Sequence, residues 1–157
     1  MKLYQKKKVI CYFVKSLNIK SQGEQITVHT LEGDVVVTAD EDTYIMIGAY
    51  NDIYPIPKKT FESKYQAIQE PSLPIDEVLL ETHKIDRSKV ETCRLMADSY
   101  VYARKMDKDF AVYTKHCDST LYGKQGDYYA VSYEDTENVY IIRGDIMDET
   151  YEMVTAE

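Results

Sequence analysis

The stretch Gly126-Asp-Tyr-Tyr-Ala-Val-Ser-Tyr-Glu-Asp-Thr-Glu-Asn-Val-Tyr-Ile-Ile-Arg-Gly-Asp-Ile-Met-Asp-Glu-Thr-Tyr-Glu-Met-Val154 decides how this chain is read. It spells a Gly-Asp turn, a strand, a polar turn, a second strand, and a short polar connection ending in Thr-Tyr-Glu. The first half of the chain holds a degenerate copy. Asp42-Thr-Tyr-Ile-Met-Ile-Gly-Ala-Tyr-Asn-Asp-Ile-Tyr-Pro-Ile56 runs into Lys58-Lys-Thr-Phe-Glu-Ser-Lys-Tyr-Gln-Ala-Ile68 in the same order. Counted back from their ends, Ile53-Tyr54 lies over Val139-Tyr140, Phe61 over Met147, and Tyr65 over Tyr151. One extra residue in the second turn brings Asp42-Thr-Tyr44 over Asp127-Tyr-Tyr129.

Working outward, the first half reads as a series of short strands. Val9-Ile-Cys-Tyr-Phe-Val14 is a continuous apolar run, the mark of a strand covered on both faces. Gln25 to Thr30 alternates, Leu31-Glu-Gly-Asp34 carries hairpin chemistry, and Val35-Val-Val37 returns. Thr43 to Ile47 and Ile53 to Ile56 follow, with Pro55 confining the latter to an edge or an end. Lys58 to Phe61 is expected as one helical turn, after which Tyr65-Gln-Ala-Ile68 closes the unit.

Glu70-Pro-Ser-Leu-Pro74 is the clearest boundary, because two prolines force extended backbone. Beyond it, Ile75, Val78 and Leu79 have helical spacing. Ser88-Lys-Val-Glu91 matches a capping box, which predicts a helix from Ser88 to about Ser99. The second unit opens with Tyr100-Val-Tyr-Ala-Arg-Lys105 and Asp109-Phe-Ala-Val-Tyr-Thr114, echoing Leu3 to Lys7 and Cys11 to Val14. On this alignment the second copy lacks the first copy's hairpin. The expected fold is α+β, mainly β: two small antiparallel units, barrel- or roll-like, related by an internal repeat. They span residues 1–69 and 100–157, with a proline hinge and helical insert at 70–99.

The 157 residues suffice for one ordinary domain or two small ones sharing a core, and 44% hydrophobic content is that of a globular chain. A net charge of -8 argues against a nucleic-acid binder, since phosphate contacts need a basic footprint. The run Lys6-Lys-Lys8 is expected as a solvated strand start, and contact with an anionic partner is the alternative. No apolar run reaches membrane-spanning length and no signal-peptide core opens the chain, so a soluble protein without a membrane partner is expected. Cys11, Cys93 and Cys117 are far apart and lack CxxC spacing, which suggests neither a disulfide framework nor a zinc knuckle; a reducing cytoplasm fits. His29, His83 and His116-Cys117 show no metal-ligand spacing. Neither a metal nor a cofactor is expected.

Both halves resemble a small domain of predicted bacteriophage and prophage proteins. Its pattern opens with a Tyr-Arg-Lys-Lys-Pro-type strand, passes through Pro-Gly-Asp-Tyr and Tyr-Pro, and closes with Phe-Glu-x-Thr-Tyr. Here the openings are Tyr4-Gln-Lys-Lys7 and, more loosely, Tyr102-Ala-Arg-Lys105. The middle motif is Gln125-Gly-Asp-Tyr128, eroded to Glu41-Asp-Thr-Tyr44 in the first copy. Tyr54-Pro55 keeps the Tyr-Pro step, Tyr140-Ile141 has lost its proline, and the closings are Phe61-Glu-Ser-Lys-Tyr65 and Met147-Asp-Glu-Thr-Tyr151. The resemblance implies a fold and a viral association, placing the protein in host cytoplasm or virion. It carries no activity across.

No phosphate loop, HExxH, GxSxG or oriented Cys-His pair is found, so no catalytic residue is assigned and a non-enzyme is expected. The leading expectation is an interaction module acting on a protein or a small molecule. A structural or assembly role in a virion, and an enzyme without a sequence signature, are the alternatives. The chain has 15 tyrosines against three phenylalanines and no tryptophan. Tyrosine suits half-buried strand faces, so the candidate binding residues are Tyr129, Tyr140, Tyr44 and Tyr54. Alternation groups Tyr129, Val131 and Tyr133 on one side, and Tyr140 with Ile142 on one side of the neighbouring strand. Either the Tyr129 and Tyr140 set faces outward as a patch, or its rings fill the core.

Overall fold

The computed structural model describes residues 1–69, 75–115 and 118–154. The expected hinge at Glu70-Pro-Ser-Leu-Pro74 and the His116-Cys117 pair lie outside the described residues. In chain order the strands and α-helices are β1 (Lys2–Lys6), β2 (Ile10–Lys15), β3 (Gln25–Thr30), β4 (Gly33–Thr38), β5 (Thr43–Ile47) and β6 (Ile53–Pro57). Then come α1 (Lys58–Lys64), β7 (Tyr65–Ile68), α2 (Glu77–Thr82), β8 (Glu91–Leu95), β9 (Tyr100–Lys105), β10 (Phe110–Thr114) and β11 (Ser119–Gly123). The chain continues with β12 (Tyr128–Ser132), β13 (Val139–Ile142), α3 (Gly144–Thr150) and β14 (Tyr151–Met153). The protein is mostly β, in several small antiparallel sheets. None of the described sheets closes into a barrel, which corrects the barrel-like expectation: each five-stranded sheet keeps two open edges.

One compact unit holds Lys8–Thr30 and Val35–Ala97. Its sheet has the order β6-β5-β2-β8-β7, antiparallel throughout. The apolar run of β2 takes the centre, with Cys11, Tyr12, Phe13 and Val14 all buried. Pro55 sits in edge strand β6, where the missing amide costs no ladder bond. Over one face lies a core of Phe13, Tyr44, Met46, Ile56, Phe61 and Tyr65 with Cys11, Cys93 and Leu95. The α1 helix delivers Phe61 into it, against Phe13 at 4.4 Å between ring centroids and Tyr65 at 5.5 Å. Hydrophobic burial on this scale, more than helix propensity, holds a seven-residue helix in place.

Two expectations for the insert meet different fates. The helix after Ile75 forms as α2, its start capped by the Asp76 carboxylate accepting from the Val78 amide at 2.9 Å. Its end is tied by His83, whose Nε2 accepts from the His29 amide at 3.0 Å while Nδ1 lies 2.9 Å from the Leu79 carbonyl. With Nε2 accepting, the proton sits on Nδ1 and is donated to Leu79. The helix expected from Ser88 to Ser99 does not form. Arg87–Lys89 is a single 3-10 turn, and Glu91–Leu95 is strand β8, paired to β2 on one side and β7 on the other. Two ladders outweigh a local helical pattern that includes β-favouring Thr92 and Cys93.

The second unit holds Met1–Lys7, Leu31–Asp34 and the chain from Asp98 onward. Its sheet has the order β13-β12-β9-β1-β14, again antiparallel. Val101, Ala103, Tyr128, Ala130 and Ile142 face Ile146 and Met147 of α3, with Tyr4, Tyr140 and Tyr151 packed at the margin. Contrary to the expected loss of a hairpin, β10 and β11 pair here, with Val112 and Leu121 buried. The Glu32 carbonyl, at the tip between β3 and β4, accepts from the Tyr122 amide at 2.8 Å. The helical insert between two β units is thus also corrected: strand β8 lies within residues 70–99, and β1 belongs with the second unit.

Candidate functional site

Strand β9 reads Tyr100-Val-Tyr-Ala-Arg-Lys105, and the pleat splits it into two faces. Val101 and Ala103 point into the core under α3. Tyr100 and Tyr102 therefore point to the other face, where both remain half-buried. Leu3, Tyr102, Val131 and Val139 lie directly across from one another on β1, β9, β12 and β13. Just past the end of β12, the Tyr133 ring sits 5.6 Å from Tyr100 and 5.6 Å from Tyr102, and Tyr133 is 50% exposed. Three rings and a row of aliphatic neighbours thus occupy one sheet face.

Acidic residues border the cluster in sequence. Asp98, whose carboxylate accepts from the Gln5 amide at 3.4 Å, stands two residues before Tyr100, and Glu134-Asp135 directly follows Tyr133. A second aromatic pair lies on the hairpin β10–β11. Tyr113 and Tyr122 are diagonal neighbours on its outward face, 54% and 66% exposed. The Tyr113 hydroxyl donates to the Asp118 carboxylate, which raises its ionisation above the ordinary tyrosine range.

The four tyrosines singled out from sequence are not gathered on one surface. Tyr44 is buried, stacked on Phe13 at 5.5 Å and edge-on to Phe61 at 5.2 Å. Tyr54 is half-buried and packs against the same core. Tyr140 stands opposite Ala130 and packs on the core under α3. Tyr129 stands opposite Ile141, on the other face of that sheet. Alternation gave Tyr129, Val131 and Tyr133 one common side correctly, but the register puts Tyr140 on the reverse. Tyr100 and Tyr102 were missed, although their spacing of two within a strand pattern was the available signal.

The first unit has a polar cleft of about 320 Å³ lined by Lys15, Leu17, Asn18, Asp40, Glu41, Tyr44 and Lys58. Its backbone is fixed by buried Ser16, whose hydroxyl donates to the Asp40 carbonyl at 2.8 Å and accepts from the Asp40 amide at 3.1 Å. Two lysines and two carboxylates line it, a set of groups that can hold a small polar molecule. Among the described residues, no group of three or more His, Cys, Asp or Glu side chains is placed to hold a metal ion. None of the helices among them is long and apolar enough to cross a membrane. Comparison with protein-family models, with curated proteins and with solved structures found no match to this chain.

Proposed function

We propose that this chain is a non-enzymatic interaction module, built from two copies of one β-rich unit, that binds a protein partner through the Tyr100, Tyr102 and Tyr133 face. The ring cluster is the observation that carries the binding reading. Tyrosines are enriched at interfaces because a rigid ring contributes apolar area while its hydroxyl finds polar partners. The opposite face of the same strands is core, so these rings are held in place before any partner arrives. A sheet face suits a protein surface, whereas small-molecule sites are concave. The acidic border of Asp98, Glu134 and Asp135 favours a partner with basic residues around an apolar centre. A viral setting is supported by the resemblance of the Gly-Asp-Tyr and Met-x-x-Thr-Tyr motifs alone.

The repeat is supported by strand order and register. Matching β2 with β9, β5 with β12, β6 with β13, α1 with α3 and β7 with β14 aligns the two sheets strand for strand. The hairpins β3–β4 and β10–β11 fall at the same point in the order. The remaining place, beside the central strand, is filled by β8 in one sheet and by β1 in the other. Each copy then runs from β1 to β7 or from β8 to β14, with its first strand inserted in the other copy's sheet. The ladders agree: Tyr44–Ile56 matches Tyr128–Ile142, Lys15–Tyr44 matches Lys105–Tyr128, and Cys11–Cys93 matches Val101–Tyr4. On the far side, Leu95–Tyr65 matches Lys6–Tyr151, and the amides of Met96 and Lys7 bond the equivalent carbonyls of Lys64 and Thr150, each at 2.8 Å. On this matching Tyr54 corresponds to Tyr140, Tyr65 to Tyr151 and Tyr44 to Tyr128.

The binding reading is tested with Tyr133→Lys, a substitution at the most exposed ring of the cluster. Affinity capture from the cells that naturally make the chain, quantified against wild type, is expected to lose at least one partner about tenfold or more. The chain should stay folded, with its melting temperature lowered by only a few degrees, and the wild-type complex should weaken with added salt. Retention of every partner by a folded Tyr133→Lys chain contradicts the reading.

A further inference from the structure

Cys11 and Cys93 stand 82 positions apart in sequence, yet they face each other directly across the ladder between β2 and β8. Their sulfur atoms are 4.0 Å apart. Directly opposed residues in an antiparallel ladder have Cα atoms about 4.5–5.5 Å apart, inside the range of about 4.4–6.8 Å that a disulfide spans. Closing the pair therefore requires side-chain rotation and little backbone movement. The two sites differ in access: Cys11 is 6% exposed and Cys93 is fully buried. Both lie in the core cluster with Phe13, Phe61 and Leu95, so nothing larger than a small oxidant reaches them in the folded chain.

We propose that Cys11 and Cys93 are an oxidation site at which a small peroxide forms a reversible cross-strand disulfide. The Cys11 sulfur attacks one oxygen of hydrogen peroxide, the O–O bond breaks, and the thiol proton leaves with the departing oxygen as water. Cys11 is then a sulfenic acid. The Cys93 sulfur attacks the Cys11 sulfur, the S–O bond breaks, and the hydroxide leaves with the Cys93 proton as a second water. Two thiols lose two electrons, and one peroxide is reduced to two waters. The product ties β8 to β2 and closes a long loop, which restricts the unfolded chain strongly. This inference rests on the β2–β8 ladder and is independent of both the tyrosine face and the repeat. If β8 does open the second copy, the bond also latches the two copies together.

The test uses the full chain carrying Cys117→Ser, so that only the opposed pair can react. Folded protein is incubated with hydrogen peroxide, alkylated, and digested without reduction. The proposal predicts a linked peptide pair joining Cys11 to Cys93 in most molecules, a melting temperature raised by several degrees, and reversal of both by dithiothreitol. In the further variant Cys93→Ser, Cys11 should gain one oxygen in the folded chain, trapped as a dimedone adduct once the oxidised protein is unfolded in the reagent. Absence of the linked pair under native conditions, or its appearance only after denaturation, overturns the proposal. So does oxidation of Cys11 to sulfinic acid while Cys93 stays reduced.

Discussion

Asp127 gives the Gly-Asp-Tyr motif its physical meaning. One carboxylate oxygen accepts from the Lys124 amide at 3.0 Å and closes the turn. The other accepts from the Gly144 amide at 3.1 Å and docks the start of α3 onto that turn. Gly126 adopts a φ of 95°, which a side chain would strain, and a Cβ at Gly144 would come within 2.6 Å of the Gly126 carbonyl oxygen. Asp127→Ala is expected to destabilise the chain by about 1–3 kcal/mol, because two amides lose their acceptor. Urea unfolding checks this, and a loss below a few tenths of a kcal/mol would contradict the assigned role. The turn was legible in the sequence, because glycine and aspartate have fixed conformational meanings. The destination of the carboxylate was not, since Gly144 lies 17 positions on. The same limit hid the Cys11–Cys93 pair and the His29–His83 contact, which exist only once strands are paired.

At the scale of elements, periodicity served where one ladder or one face decided the outcome. The spans of β5 and β6, the helical turn after Pro57 and the closing strand at Tyr65 were all readable from residue type and order. Residues 88 to 99 were misread because a serine followed by a glutamate at capping spacing resembles a helix start, whereas pairing with both β2 and β7 selects strand. The faces of β12 and β13 were undetermined for a related reason: tyrosine and isoleucine alternate on both sides, and only the ladder register assigns Tyr140 to the core. The short helix α1 depends on a single anchor. Phe61 is buried against the rings of Phe13, Tyr44 and Tyr65. Phe61→Ala should cost about 3–5 kcal/mol, the range for emptying a buried aromatic site. Equilibrium denaturation measures it, and a cost under about 1 kcal/mol would mean that the helix is held by something other than this ring cluster.

For the molecule as a whole, we propose that two copies of one unit exchange their first strands. A local hairpin between β1 and β2 is the simpler arrangement for segments separated by Lys7, Lys8 and Val9, and short connections usually join neighbours. The strand order rejects that arrangement, placing β1 between β9 and β14 and giving its matching position beside β2 to β8. The sequence alignment of the halves covers the four elements β5, β6, α1 and β7, where turns and aromatic positions correspond. It aligns β9 with β1, whereas the proposed exchange matches β9 with β2, since a strand that pairs far from its chain neighbours leaves no local signature. The most direct test is the pattern of backbone nuclear Overhauser contacts in the isotopically labelled full chain. Contacts joining Tyr4 to Val101, Gln5 to Glu152 and Cys11 to Cys93 are predicted, whereas contacts pairing β1 with β2 as a hairpin would contradict the exchange.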